Sequence, residues 1–290
     1  MESPLVAGVD GSESSFVATD WAADEALRHG LPLRLVYASL WHRYEGAALA
    51  SGLDRPDGQV FADNIVGTAA ERVRRRTPDV KVVTDVLPED TVSALLREGR
   101  HAFALVTGSR GRGDIAGLLL GSVSLAVAAG AHCPVIVVRG DKAGLAATHD
   151  RITLGVKDAD VDSAAVRFAF LEAELRGCTL DVVRAWCCPA HETKDHPLLA
   201  GDPARYHEDQ ASTLLDEALE ASVQNHPDVH VKRATVEGPA RKVLLARSAA
   251  ADLLVVGARR RHSQFGMQLG RVGHTVLHHA SCPVAVVPAS

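Results

Sequence analysis

Short runs of β-branched and leucine-rich residues alternate along the first half of the chain with longer stretches whose apolar positions recur every three or four residues. The runs are Leu5 to Val9, Leu33 to Tyr37, Val80 to Val86, Leu105 to Thr107 and Val135 to Val138, each too short for a helix and rich in strand-favouring side chains. Between them, Ser15 to Arg28, Asp63 to Arg76, Thr91 to Arg100 and Ser122 to Ala129 carry the helical period, and Gly30 and Gly130 stand where a helix stops. Strands alternating with helices in this way predict a parallel, doubly wound α/β sheet covered on both faces.

The pattern then repeats. Leu5-Val6-Ala7-Gly8-Val9 aligns with Ile152-Thr153-Leu154-Gly155-Val156, and Ala22, Ala26 and Gly30 align with Ala169, Ala173 and Gly177, all at a spacing of 147. Further on, Leu105 to Gly108 falls on Leu254 to Gly257 and Cys133-Pro134-Val135 on Cys282-Pro283-Val284, now at 149. A repeat this long is a duplicated domain; solenoid units run to about 20–50 residues. The expected organisation is therefore two tandem, Rossmann-like domains, 1–142 and 150–290, each a five-stranded parallel sheet flanked by helices. The stretch from Gly140 to Asp150 has no sustained period and reads as a linker. The last strand of each half, Val135 to Val138 and Val284 to Val287, is apolar and ends its lobe, so an intramolecular pseudo-dimer through these strands is expected. A homodimer and a protein partner of unknown identity stay open.

Composition narrows the function classes. The chain has 290 residues, 47% hydrophobic and 23% charged, in the ordinary range for a globular protein. A net charge of −5 and an aromatic content of 4% offer neither a basic surface nor a stacking platform, so nucleic acid is not expected as a partner. The opening Met-Glu-Ser-Pro is acidic, no apolar run reaches bilayer length, and the expectation is a cytoplasmic protein with no membrane partner. The cysteines, Cys133, Cys178, Cys187, Cys188 and Cys282, lack the spacing of a zinc site or C-x-x-C redox pair. His274, His278 and His279 near Cys282 make a metal site geometrically conceivable, but a polar helix face is the plainer reading, and no metal ligands are assigned.

The candidate chemistry sits after strands one and four. Gly108-Ser-Arg-Gly111, followed by Gly121-Ser122-Val123-Ser124, lies between a strand and a helix, where helix-end amides favour phosphate. Gly108 and Gly111 are expected to supply positive φ angles and close backbone approach, and Ser122 and Ser124 hydroxyl donors. In a doubly wound sheet, ligands bind outside the carboxyl ends of the strands, so Asp10-Gly11-Ser12 and the segment from Thr107 to Gly121 converge on one crevice. No Walker-type lysine is present, and no His or Glu lies in the cradle, so no catalytic residue is assigned. Glycines that only turn the chain, and an Asp10 that only caps, are the structural alternatives.

On Val9-Asp10-Gly11-Ser12-x-x-Ser15 and Gly108-x-x-Gly111-x9-Gly121-Ser122, the chain resembles the universal stress protein family in its tandem form. The resemblance implies the adenine nucleotide alpha hydrolase-like version of the fold and a nucleotide-binding regulator of stress response or growth state. It implies ATP, with magnesium, as ligand. Asp10 would meet the ribose hydroxyls, Ala38 would present backbone to adenine, and Gly108, Ser109, Gly111, Gly121, Ser122, Val123 and Ser124 would surround the phosphates with Arg110 close by. Slow ATP hydrolysis, or a scaffold without nucleotide, are the alternatives. Phe103 departs from the family, which often has Asp there, as Asp252 is in the second half. The second half departs further: Gly111 becomes Arg260, Ser122 becomes Arg271, and Asp10-Gly11 becomes Lys157-Asp158. Occupancy is thus expected in the first lobe alone, with Arg259-Arg260-Arg261 either a solvated loop or an anion receptor.

Overall fold

The computed structural model describes residues 3–40, 57–111, 120–157, 163–188, 203–258 and 269–289. The chain divides into two compact units between Arg139 and Gly140. In the first, β1 (Leu5–Gly8), α1 (Glu13–His29), β2 (Leu33–Ala38), α2 (Asp57–Arg76), β3 (Val82–Leu87), α3 (Thr91–Glu98), β4 (Ala104–Gly108), α4 (Ser122–Gly130) and β5 (Val135–Val138) follow in turn. All pairings are parallel, in the order β3-β2-β1-β4-β5. The second unit holds α5 (Lys142–Leu145), β6 (Arg151–Gly155), α6 (Ala164–Arg176), β7 (Thr179–Trp186), α7 (Pro203–Asn225), β8 (Val231–Glu237), α8 (Ala240–Ser248), β9 (Leu253–Ala258), α9 (Arg271–His279) and β10 (Val284–Pro288). Its parallel order, β8-β7-β6-β9-β10, is the same.

The strand residues explain the covering of the sheet. Every residue of β4 is buried, as a central parallel strand with helices on both faces requires, and every residue of β5 is buried as well. Outer β3 is half exposed and admits Thr84 and Asp85. Successive side chains point to opposite faces, and the contacts agree. Gly108 faces Ser14 of α1, while Leu105, three residues earlier, packs beside Gly99 at the end of α3. Small residues bring the helices close. Ala22 and Ala26 of α1, and Ala169 and Ala173 of α6, are almost wholly buried. Gly8 touches Leu95 as its counterpart Gly155 touches Leu244, so a glycine on the first strand accommodates a leucine in both lobes.

Helix ends are written into the sequence. Ser12 is extended (φ −74°, ψ 155°), and its Oγ accepts from Ser15 N, which satisfies one amide of the first turn of α1. Gly30 stops the helix at φ 64°, donating its N–H to Ala26 and Leu27 carbonyls, and Gly177 stops α6 in the same way at φ 60°. Gly130 differs slightly: it is the last residue of α4, and Ala131 follows as the cap. The stretch expected to be a plain linker contains the single turn α5, capped by Asp141 Oδ1 on Gly144 N, and Asp141 N bonds to Ser281 O. That segment belongs with the second unit.

Phe103 has a local explanation. In the second lobe Asp252 accepts from His149 N at 2.9 Å and from Arg151 N at 3.1 Å. Arg151 corresponds to Pro4, which has no N–H, so the carboxylate's partner is missing in the first lobe. Phe103 instead packs its ring against His29, with centroids 4.6 Å apart.

Candidate functional site

Chain order reverses at β1, with β2 and β3 laid to one side and β4 and β5 to the other, so the loops after β1 and β4 open the crevice of the first lobe. After β1, Asp10 Oδ1 accepts from Ser12 N at 2.9 Å and from Ser12 Oγ at 2.6 Å, an arrangement that bends the chain. Gly11 sits inside that bend at φ 83°, a conformation that favours glycine. One Asp10 oxygen is thereby fixed by the turn, and the other, Oδ2, faces Gly111: a Cβ there would lie 2.9 Å from it.

The loop after β4 is clamped to the start of α1. Arg110 N donates to Ser14 Oγ at 3.1 Å, and a Cβ on Gly108 would come within 2.6 Å of both Ser14 O and Ser14 Oγ. Gly108 is required here by close approach to Ser14, and neither it nor Gly111 has the positive φ expected of them; that conformation belongs to Gly11. Gly121 N then bonds back to Ser109 O at 2.8 Å, closing the cradle at the N-terminus of α4. Gly121 caps that helix without a side chain, so the amides of Ser122, Val123 and Ser124 have no intrahelical acceptor. Ser122 is exposed at the rim.

Two expected contacts change meaning. The Ser124 hydroxyl is buried and donates to Gly108 O at 2.7 Å; it braces the cradle, and its amide is what remains for a ligand. The Ala38 carbonyl at the end of β2 accepts from Thr91 Oγ1 at 2.8 Å, which ties the opposite wall to α3. Thr107 is buried, and its Oγ1 has no hydrogen-bond partner among the described residues. Spacing alone does not single out Ser14, although the run Ser12-Glu13-Ser14-Ser15 at a helix start carries the signal. Residues 112–119, inside the Gly111–Gly121 interval, lie outside the described residues.

The sequence pattern of the universal stress protein family matches residues 1–139 and again 148–288. The chain belongs to the universal stress protein family. A universal stress protein of Mycobacterium bovis is 33% identical over 99% of this chain and 97% of its own. The crystal structure of one from Archaeoglobus fulgidus aligns with 98% of each chain at 18% identity and a TM-score of 0.66, a likeness of fold. A universal stress protein solved in complex with cAMP matches 47% of this chain, with a TM-score of 0.36. No helix among the described residues is long and apolar enough to cross a membrane.

Among the described residues of the second lobe of this universal stress protein, no contact of that kind holds Gly257. Helix α6 spans 13 residues against 17 for α1, and since their glycine stops are equivalent, α6 begins one turn later, at a Ser163 cap. Its start is drawn back by about 6 Å at 1.5 Å per residue. Among the described residues a Cβ on Gly257 would meet Ala165 Cβ alone, at 3.6 Å, and Gly257 is exposed where Gly108 is buried. Lys157, at the Asp10 position, is exposed, and its carbonyl accepts from Arg184 Nη1. Asp158 and Arg259 to Arg261 lie outside the described residues. On α9, the His274 and His278 rings stack at 4.4 Å.

Proposed function

We propose that the first lobe binds ATP at the carboxyl edge of its sheet, one nucleotide per chain, and that occupancy makes the protein a regulator of stress response or growth state. The observation that carries this reading is the convergence of the two loops: Asp10 Oδ2 faces the side-chain-less Gly111, beside a helix N-terminus capped only by Gly121. A carboxylate oxygen suits a ribose hydroxyl, and first-turn amides at the positive end of a helix suit phosphate. Adenine would lie toward Ala38, and Ser109, Arg110 and Ser122 would edge the phosphates. Magnesium would accompany the phosphates, which themselves offer it oxygen ligands.

Binding rather than turnover is the output in this reading. Among the described residues of the two loops Asp10 is the carboxylate, and its Oδ1 is already committed to Ser12. No histidine or glutamate stands in the cradle to activate water.

Calorimetric titration of the intact chain with ATP tests the proposal. The expected stoichiometry is near one. Gly121→Val is expected to abolish binding with the fold intact, because a Cβ there would meet nothing closer than 3.7 Å among the described residues and the residue is extended at φ −70°. Asp10→Asn, which keeps the Oδ1 acceptor of the turn, is expected to weaken binding by about 1.5–3 kcal/mol. No binding, a stoichiometry near two, or binding that survives Gly121→Val would overturn the reading.

A further inference from the structure

We propose that Cys187 and Cys188 form a vicinal dithiol, at the carboxyl edge of the second lobe's sheet, that reacts with hydroperoxides and closes reversibly to a disulfide. Both are thiols in this structure; Cys187 is exposed and Cys188 half-buried. The other three cysteines are buried. Burial pushes the Cys133 thiol up to about 11 and raises that of Cys178 as well, which keeps both protonated near neutrality. Peroxide reacts with a thiolate that it can reach, so access and burial together single out the adjacent pair.

The fold puts the pair at a functional edge. Strand β7 runs Thr179–Trp186, and its end is pinned by Gly238 N donating to Trp186 O at 2.7 Å. The two cysteines follow directly, at the carboxyl edge of the second lobe's own sheet, the edge that in the first lobe's sheet carries the crevice. Their counterparts there are Leu40 and Trp41, just past Ala38. The lobe whose cradle sequence is degenerate therefore carries thiol chemistry at the position where its twin carries a crevice wall.

The chemistry balances with one peroxide. The Cys187 thiolate attacks a peroxide oxygen, the O–O bond breaks, and hydroxide leaves and takes up the proton lost by the thiol, giving a sulfenic acid and water. The Cys188 sulfur then attacks the Cys187 sulfur; the S–OH bond breaks, and hydroxide leaves with the second thiol's proton as a second water. Two thiols are oxidised by two electrons, and the peroxide is reduced. Adjacent Cα atoms lie about 3.8 Å apart, below the roughly 4.4 Å at which disulfides ordinarily begin. The closed ring is accordingly strained, and strained disulfides are readily reduced by thiols, which makes the step reversible.

Trypsin releases residues 185–194 as a peptide that contains this pair and no other cysteine. The intact chain, treated with hydrogen peroxide and digested without reductant, is expected to yield that peptide lighter by two hydrogen atoms, restored by dithiothreitol. Phenylarsine oxide, which bridges two thiols, is expected to bind the reduced chain once and the oxidised chain not at all. In Cys188→Ser a sulfenic acid on Cys187 is expected to be trapped by dimedone, and Cys187→Ser is expected to lose both arsenical binding and closure. The proposal is overturned if the peptide is unchanged, if it gains oxygen without closing, if the bond forms between two chains, or if Cys133, Cys178 or Cys282 oxidises as fast.

Discussion

In the first lobe Ser12 starts a helix whose second residue, Ser14, lies against Gly108 and caps Arg110 N; in the second lobe the equivalent helix starts a turn later and leaves Gly257 open to solvent. Sheet order, strand register and helix stops are otherwise the same. Duplication therefore preserved what packs the core and released what shapes the crevice. The first-lobe cradle is held by a helix start, so under the proposed function its backbone donors would pay a reduced ordering cost on binding.

Gly108 and Gly257 are where the two lobes differ most in what a side chain would meet. Gly108→Ala drives a Cβ into the Ser14 carbonyl and is expected to cost about 3 kcal/mol, at the upper end of ordinary overpacking. Gly257→Ala meets an ordinary contact at 3.6 Å and is expected to change stability by less than about 1 kcal/mol. Hydrogen exchange resolved to peptides covering β4 and β9 would separate the two. Equal protection losses in both lobes would mean that the clamp is not what distinguishes them.

A second difference is a reversal of charge. Arg34 on β2 reaches Glu98 on α3 at 2.5 Å and Asp85 on β3 at 2.7 Å. At the corresponding places β7 carries Asp181 and α8 carries Arg247, paired at 2.7 Å with their signs exchanged. Asp85 corresponds to Ala234, so Asp181 has no second partner in that position. Arg247→Ala leaves a carboxylate whose side chain is 5% exposed without its cation, and a cost of about 2–3 kcal/mol is expected, since the arginine itself is 35% exposed. Glu98→Ala leaves Arg34 on Asp85 and is expected to cost about 1 kcal/mol or less. Urea unfolding followed by fluorescence, with Trp186 on β7 reporting the second lobe, checks the order; the double exchange Asp181→Arg with Arg247→Glu should recover most of the loss.

Much of this architecture is legible in periodicity because it depends on which residues are apolar and how far apart. Strand β5 matches its expected limits residue for residue, and Thr91 and Arg76 mark helix ends as expected. The repeat at 147 and 149 residues yields both sheets at once. Spacing says less about where a hydroxyl turns. Ser122 and Ser124 look alike in sequence, yet one is exposed at the rim and the other is spent on Gly108 O, because alternate residues in a helix's first turn face different neighbours. The positive φ belongs to Gly11, since the tight turn is made by the Asp10 side chain and not by the cradle. The clamp by Ser14 joins residues 96 apart in the chain, and no local pattern encodes such a contact.

A further expected effect, smaller than the loss of the Gly108 or Arg247 contacts, concerns Cys133, just before β5. Cys133 is buried at the start of β5, and loss of solvation raises its thiol from 9.0 to about 11, with backbone hydrogen bonds opposing the shift. A group whose folded value is raised contributes stability that is fully present below the unfolded value and is lost as pH climbs toward the folded one. Below pH 9 both states keep the proton and nothing changes. Between pH 9 and 11 the unfolded chain releases it while the folded chain holds it, so stability falls. At 1.36 kcal/mol per pKa unit, the loss between pH 8 and pH 10 is about 1.3 kcal/mol. Cys133→Ala removes the titrating group, and its own cavity cost is the same at both pH values, so the difference between them isolates the thiol. Urea unfolding of the natural chain and the variant at pH 8 and pH 10 is expected to show the alkaline loss shrink by about that amount. An unchanged alkaline loss in the variant would show that the thiol is not the group responsible.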